Sequence, residues 1–541
     1  MSAADLNSGD TSWVLFCTAA VLFMTPGLAL FYAGMVSRRN TLVMLQQNFI
    51  PLGVISLTWV MVGYSLAFGT DTGHGLIADL KLFGLQDLGQ APPPALHKVS
   101  SDVAIPTLAF VAYQMMFAII TPALATGAVA SRLKPLGWAV FLAAWSIIVY
   151  PPITHWLWAP AGWLTSRGAQ DWAGGMVVHA SAGAAALALL VVLGRRRVWP
   201  DRAPLPHSVP FVIVGAGVLW FGWFGFNAGD GLQANGVAAQ ALVNTQVAAA
   251  AAMLVWLVVE RIRDGHATVL GAVTGAVAGL ATITPAAGYV STLSAVVIGA
   301  LAGGVCHVAL RLKVVFRYDD ALDVIAVHFV GGLLGSLLVG FFGQASINDI
   351  GTDGVFFGGG FGLLGEQILA LGAVIAFSFV ATWLIATAIE RTIGLRASRD
   401  DEDHLDEAQQ GMNAYESDAF ANPRSTAAVT GNSAGPLVAS AADLRLVSAV
   451  LDGGAMDGPS LTDALLDAGA QRVLSTDAHA FTSQSQSQVV RGERRQRQST
   501  PLTRLEILVG QEHVAAITEV LRARAGDPGQ VLVQAVANEA S

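Results

Sequence analysis

Two stretches of the 541-residue chain set a histidine in the same local context. One reads Asp171-Trp-Ala-Gly-Gly-Met-Val-Val-His179-Ala-Ser-Ala-Gly and the other Asp320-Ala-Leu-Asp-Val-Ile-Ala-Val-His328-Phe-Val-Gly-Gly. Each runs acid, seven residues, histidine, then small residues, and the two histidines lie 149 positions apart. An imidazole both donates and accepts hydrogen bonds and changes charge near neutral pH. Two of them on one path could therefore hand along a small hydrogen-bonding solute or a proton. Two histidines alone make a poor metal site, and no nucleophile–base pair accompanies them. Neither an enzyme nor a bound metal or cofactor is expected. The aspartates suit a different role. At a helix start a carboxylate accepts from exposed N–H groups and complements the helix dipole. That structural role is favoured for Asp171 and Asp320 over direct recruitment of substrate.

The elements that must position these residues are apolar and long. The chain is 54% hydrophobic and 12% charged, about half the charge of an ordinary soluble protein at ~25%. Of its 67 charged residues, 31 fall in positions 397–541, so an apolar body precedes a more ordinary tail. A net charge of -9 offers no general surface for nucleic acid. Cys17 and Cys306 both sit in apolar stretches, which leaves no disulfide framework. The N-terminus carries Asp5 and Asp10 with no basic region, unlike a cleaved leader. A bilayer crossing takes about 20 mostly apolar residues. Eleven candidates meet that pattern, at 11–35, 41–69, 103–130, 136–158, 171–194, 208–229, 237–260, 268–286, 290–312, 320–343 and 361–390.

The loops orient these spans. Arg38, Arg39, Arg132, Lys134, Arg195, Arg196, Arg197, Arg202, Arg261, Arg263, Arg311, Lys313 and Arg317 follow odd-numbered spans, whereas the alternate loops hold only Lys81, Lys98 and Arg167. The positive-inside rule then puts the N-terminus outside and the tail in the cytoplasm of a multi-pass plasma-membrane protein. The histidine segments open spans five and ten. An offset of five spans reverses orientation, which makes an inverted 5+5 repeat of the kind found in transporters. Eight residues at helical rise place each histidine about 12 Å inside its helix start, near the middle of a ~30 Å core. A polar group there is costly unless paired or facing a cavity, so the two are expected to neighbour each other along one apolar conduit. The alternative is that each is satisfied separately by an adjacent helix.

These segments resemble the ammonium transporter (Amt/Mep/Rh) family, specifically its Amt branch. The resemblance is carried by DWAGGMVVHASAGAAAL at 171–187, YQMMFAIITPALATGA at 113–128, WFGWFGFNAG at 220–229, TITPAAGYV at 282–290 and DDALDVIAVHFVGG at 319–332. It implies a homotrimer in the lipid bilayer with one ammonium-conducting pore per subunit. It further implies a vestibule at Phe117 and Trp158, a gate of Phe117 and Phe226, a pore pair of His179 and His328 with Trp223 beside them, and an outer-mouth acid at Asp171. Thr284 is similar to a threonine near the pore entrance, and Thr268 to a pore-lining hydroxyl. Where relatives usually carry a small hydroxyl residue, this chain has Asp230. Its carboxylate either holds a cation in the vestibule wall or caps a helix.

Ammonium and potassium are alike in size, so charge and size cannot separate them. Aromatic faces attract both through cation–π contact, worth about 2 kcal/mol when desolvated. An apolar conduit then refuses any bare ion, because several kcal/mol of hydration would be lost. Ammonium can shed its proton and continue as ammonia; potassium cannot. A rival reading is an ammonium sensor that conducts little and signals through its tail.

Four regions follow: a transporter domain at 1–390, a cytoplasmic regulatory segment at 391–415, a Ser/Ala/Thr/Pro-rich linker at 416–440 and a folded domain at 441–541. The regulatory segment keeps GLR, Leu405-Asp406 and Ala414-Tyr415 of the family pattern but has Gln409-Gln410-Gly411-Met412 where relatives usually carry a Glu-His-Gly-Glu type run, and its charges could be simply solvated. The last region has strand patterns at 443–451, 472–481, 503–510 and 530–536 and helix patterns at 460–470 and 512–526. This β-α-β, loop, β-α-β order is the ferredoxin-like α+β arrangement and resembles the PII signal proteins. Residues 440–541 contain no lysine, and 482–500 no tyrosine. The phosphate-binding lysine and the usual modified tyrosine of that family are thus missing, and any ligand is unidentified. The loop at 482–500, basic through Arg491, Arg494, Arg495 and Arg497, is read as solvated, with an anion sensor or a pore plug as alternatives.

Overall fold

The computed structural model describes residues 6–86, 88, 103–200, 205–415, 444–452, 460–480, 486–490, 493–497, 500–525 and 531–535. The chain divides into two compact units, residues 1–414 and 415–541. The expected linker at 416–440 lies outside the described residues.

The first unit is a bundle of apolar helices: α1 (Ser8–Met35), α2 (Arg38–Phe68), α3 (Thr107–Ala125), α4 (Pro135–Ile148, resuming as Tyr150–Trp158), α5 (Gly175–Leu193), α6 (Val209–Gly229), α7 (Gly236–Asp264), α8 (Val269–Ile283), α9 (Thr292–Ala309), α10 (Ile325–Phe342) and α11 (Gly362–Thr392). Among the described residues, ten helices are long and apolar enough to cross a membrane. The expected count is eleven, and the ten leave out one of those spans. The span expected at 268–286 is a 15-residue helix, α8, only about 22 Å long at helical rise. Thr268 starts it by accepting from the Gly271 N–H (2.9 Å). After Ile283 the chain leaves the helix, and its carbonyls turn to another segment: Trp172 and Ala173 donate to the carbonyls of Pro285 and Thr284. Non-helical backbone at membrane depth is tolerated where protein buries it, and residues 284–290 are buried.

Helices α5 and α10 begin alike. Each opens with a π-helical turn that contains its histidine, Gly175–Ala180 in one and Ile325–Phe329 in the other. Asp171 accepts four backbone N–H groups at the head of α5, from Gly174 (3.2 Å), Gly175 (2.6 Å), Met176 (2.9 Å) and Val177 (2.9 Å). Asp320 accepts those of Val324 (3.1 Å) and Ile325 (2.7 Å) at the head of α10. The helices cross with matched contacts. A Cβ on Gly183 would meet the Phe329 Cβ at 2.3 Å, and one on Gly332 would meet the Ala180 nitrogen at 3.0 Å. Each glycine lies four residues past its own histidine and packs on the other helix at its histidine or the residue just after it, Gly332 also meeting the His179 Cβ at 2.7 Å. That reciprocity brings the helices close enough for the rings to meet.

A buried charge cluster fixes the head of α10. Asp319 receives Arg196 through Nε (2.9 Å), Nη2 (2.6 Å) and the backbone N–H (2.8 Å), with Arg132 Nη1 at 3.6 Å. Arg132 also donates to the carbonyls of Gly194, Asp319 and Ala128. Burial pushes the Asp319 carboxyl up, but the hydrogen bonds and charge of Arg196, then Arg132, overcome it and hold the group below the ordinary carboxylate range.

Residues 395–410 fold back onto this unit. Asn40 donates to the Glu402 carbonyl (2.7 Å) and accepts from the Leu405 N–H (2.9 Å). Glu402 accepts from the Arg197 N–H (2.8 Å) and from Arg396. Asp406, in α12 (Leu405–Gln410), accepts from Leu42 and Val43 N–H (2.9 Å each) at the start of α2. Glu402 and Asp406 are buried, so this part of the charge run is docked rather than solvated.

The second unit holds β1 (Leu444–Asp452), α13 (Ser460–Asp467), β2 (Ala470–Ala480), β3 (Gln486–Val490), β4 (Glu493–Arg497), β5 (Thr500–Gly510), α14 (Val514–Ala525) and β6 (Val531–Ala535). The four strands β1, β2, β5 and β6 form an antiparallel sheet in the order β2-β5-β1-β6. Alternate residues Val447, Ala449, Leu505, Ile507 and Val509 are buried with Leu461 and Leu465 of α13 and Ile517 and Leu521 of α14, as period-two strands under helices require. The stretch expected as a loop at 482–500 contains a β3–β4 hairpin. Arg491 lies outside the described residues.

Candidate functional site

The site is built where α3, α4, α5, α6 and α10 converge. On α3, Phe117 lies beneath Tyr113, ring centroids 4.9 Å apart. The Tyr113 hydroxyl donates to the carbonyls of Gly225 and Phe226 (2.9 Å each) near the end of α6. This ties α3 to α6 and sets Phe117 against Phe226, with centroids 4.2 Å apart and planes 31° from parallel. Trp158, at the end of α4, meets Phe117 edge-on at 5.7 Å. Its indole N–H donates to the Asp171 carbonyl (2.9 Å), so the same aspartate heads α5 through its side chain and anchors the tryptophan through its backbone.

Behind the phenylalanines stand the histidines. The His179 ring stacks on Trp223 at 5.6 Å and on His328 at 5.3 Å. The two Nδ1 atoms are 3.3 Å apart, so one ring carries its proton on Nδ1 and the other accepts there. His179 Nε2 is buried and has no hydrogen-bond partner. Trp223 is held by its indole N–H, which donates to Thr284 Oγ1 (2.9 Å) just past the end of α8. Both histidines line a small, narrow cavity whose other walls are apolar or aromatic, among them Leu28, Ile120, Leu124, Val277, Trp223 and Phe226.

Of the residues singled out from sequence, His179, His328, Trp223 and Phe226 share this cavity, Phe117 packs on Phe226, and Trp158 packs on Phe117. Thr268 does not. It heads α8 and bonds Glu260 (N–H donating at 2.9 Å), so its matched hydroxyl is a helix cap. Asp230 is fully buried at the C-terminal end of α6, one helical turn beyond Phe226. Two buried groups escaped sequence reasoning. Gln114, three residues before Phe117, is a polar residue in an otherwise apolar run, which was signal enough. In the sequence Arg132 serves only as an orientation marker, and nothing in its local sequence points to Asp319, 187 positions away. Among the described residues, no group of three or more His, Cys, Asp or Glu is placed to hold a metal ion.

The sequence profile of the Ammonium Transporter Family matches residues 12–415. The chain belongs to the ammonium transporter family. It is 44% identical over 432 residues to an ammonium transporter of Mycobacterium bovis, covering 76% of this chain and 91% of that protein. With the ammonium transporter of Bacillus subtilis it shares 41% identity over 413 residues, covering 76% of this chain and 99% of the relative. Among solved structures, Candida albicans Mep2 superposes with a TM-score of 0.70 at 34% identity, covering 80% of this chain and 95% of that one. A protein described as a sensor Amt protein superposes with a TM-score of 0.67 at 29% identity, covering 74% and 98%. The relatives are named as transporters, not as enzymes. The family match ends one residue after the first compact unit does, so the ammonium transporter architecture accounts for the helical bundle and the docked segment.

Proposed function

We propose that this chain conducts ammonium across the plasma membrane as ammonia, after the proton is shed at the aromatic gate and follows separately along the His179–His328 pair, so that each cycle moves one positive charge. The observation that carries the reading is the pair of stacked histidines 3.3 Å apart in an otherwise apolar cavity behind Phe117 and Phe226. The rings of Phe117 and Trp158 attract the cation as water leaves it. The stacked gate excludes the hydration shell. Beyond it, a bare cation finds no fixed charge, whereas ammonia finds imidazole nitrogens that donate and accept. Asp171 orients the head of α5 and Asp320 that of α10. Asp230, one turn beyond the gate residue Phe226, adds a negative charge to the recruiting end.

The fold supports several companion readings. The N-terminus faces outside, α8 with the buried stretch that follows it completes an eleventh crossing, and the two five-helix halves are an inverted repeat. The subunit works as a homotrimer. The β2-β5-β1-β6 order fits a PII-like domain, which tethering holds at high effective concentration near the transporter and which adjusts its activity through an unidentified ligand. The likeness to a sensor Amt protein keeps one alternative, a receptor with little flux. Methylammonium uptake into proteoliposomes, measured beside equilibrium binding, separates the two. Saturable uptake that a chain ending at residue 415 retains but no longer regulates supports the proposal. Binding without uptake in both chains favours the sensor.

A further inference from the structure

Gln114 is fully buried on α3, and neither its Nε2 nor its Oε1 has a hydrogen-bond partner. It lies about one helical turn before Phe117, toward the start of α3, which with the N-terminus outside, as proposed, is the side from which substrate approaches the gate. Polar atoms stripped of water and left unbonded oppose folding, and native proteins keep few of them without a reason. Packing alone would favour leucine or methionine at position 114, between apolar neighbours on both sides.

We infer that Gln114 is a specificity-determining residue of the transport path, whose amide receives the substrate nitrogen before it passes Phe117. This rests on the reading of the chain as an ammonia conductor. The amide suits that substrate chemically. Oε1 accepts an N–H of ammonium; once the proton has gone, Nε2 can also donate to the lone pair of ammonia. Potassium has no N–H to donate and no lone pair to accept, so it gains only from the oxygen. The amide thereby stabilises the neutral form where the neutral form must appear.

Gln114→Met tests this because it keeps the volume and deletes the orphaned groups. Gln114→Ala is the second variant, in which water can occupy the vacated space. Full-length protein is reconstituted in liposomes, and ammonium uptake, potassium leak and thermal stability are measured together. The methionine variant should melt at the wild-type temperature or above it, since the unbonded groups are gone. Its uptake at limiting ammonium should fall about tenfold, the loss expected for one hydrogen bond to a charged or nascent polar partner. The alanine variant should recover part of that activity. Unchanged uptake at unchanged stability would overturn the inference, and so would uptake lost only in step with stability, which marks a packing residue. Failure of the wild-type protein itself to transport ammonium would instead remove the conduction reading on which the inference rests.

Discussion

The histidine cavity and the Asp319 cluster both bury groups that water would rather keep, yet they treat them oppositely. Around Asp319 the hydrogen-bonding capacity is filled except at Arg132 Nε: Arg196 binds through three donors and Arg132 reaches the same carboxylate and three carbonyls. In the cavity, the histidines meet only through one Nδ1–Nδ1 contact, and His179 Nε2 is left open. On the proposed function, the difference separates a joint from a path. A joint is stable because its polar groups are paired with each other; a path must keep some unpaired for a traveller.

Breaking the joint should have the largest effect. Asp319→Ala leaves Arg132 buried without its counter-charge, and removing one partner of a buried pair costs about 3–5 kcal/mol. Little folded protein should survive detergent extraction; a thermal melt at the wild-type temperature would show the cluster to be dispensable. The same carboxylate predicts a pH trend. Its folded-state titration lies below the ordinary carboxylate range, so its contribution is complete above the unfolded value and is lost as pH falls through the folded one. Melting temperatures should therefore hold through neutrality and drop in acid, and the Asp319→Asn variant should show a shallower acid limb.

Asp171 stands between the two kinds of region, since it is fully bonded but heads the helix that carries His179. Asp171→Ala unsatisfies four N–H groups and should cost about 2 kcal/mol from lost capping and dipole complement. Uptake should fall further than stability, because the His179 ring loses its fixed helix start. Equal loss of both would reduce Asp171 to a cap. The smallest effect is expected at Asp230. Asp230→Ser should raise the ammonium concentration for half-saturation a few-fold, and the shift should depend little on salt, because a buried charge is poorly screened. An unchanged half-saturation would remove Asp230 from recruitment.

The path was more legible in the sequence than the joint. Hydropathy locates the long helices, and the repeated acid-to-histidine spacing is enough to bring His179 and His328 to one depth. What hydropathy hides is where a helix stops early. Residues 282–290 keep the hydropathy of a span, yet the carbonyls of Thr284 and Pro285 bond to Ala173 and Trp172, a long-range choice whose one local sign is Pro285, two residues past the end of α8. The π-helical turns at both histidines are equally silent. So is the docking of Glu402 and Asp406, because a charged run reads the same whether it meets water or the start of another helix. Asn40, which joins that run to α2, is an unremarkable loop residue until its partners are known.

That ammonia, and not a bare cation, crosses the histidine cavity is tested most directly by currents across proteoliposomes. These bear the wild-type chain, His179→Leu or His328→Leu, with ammonium and potassium applied in turn. Each replacement should abolish either the wild-type ammonium conduction or its exclusion of potassium. Wild-type ammonium currents with potassium still excluded in both variants would contradict passage as ammonia along the histidine pair.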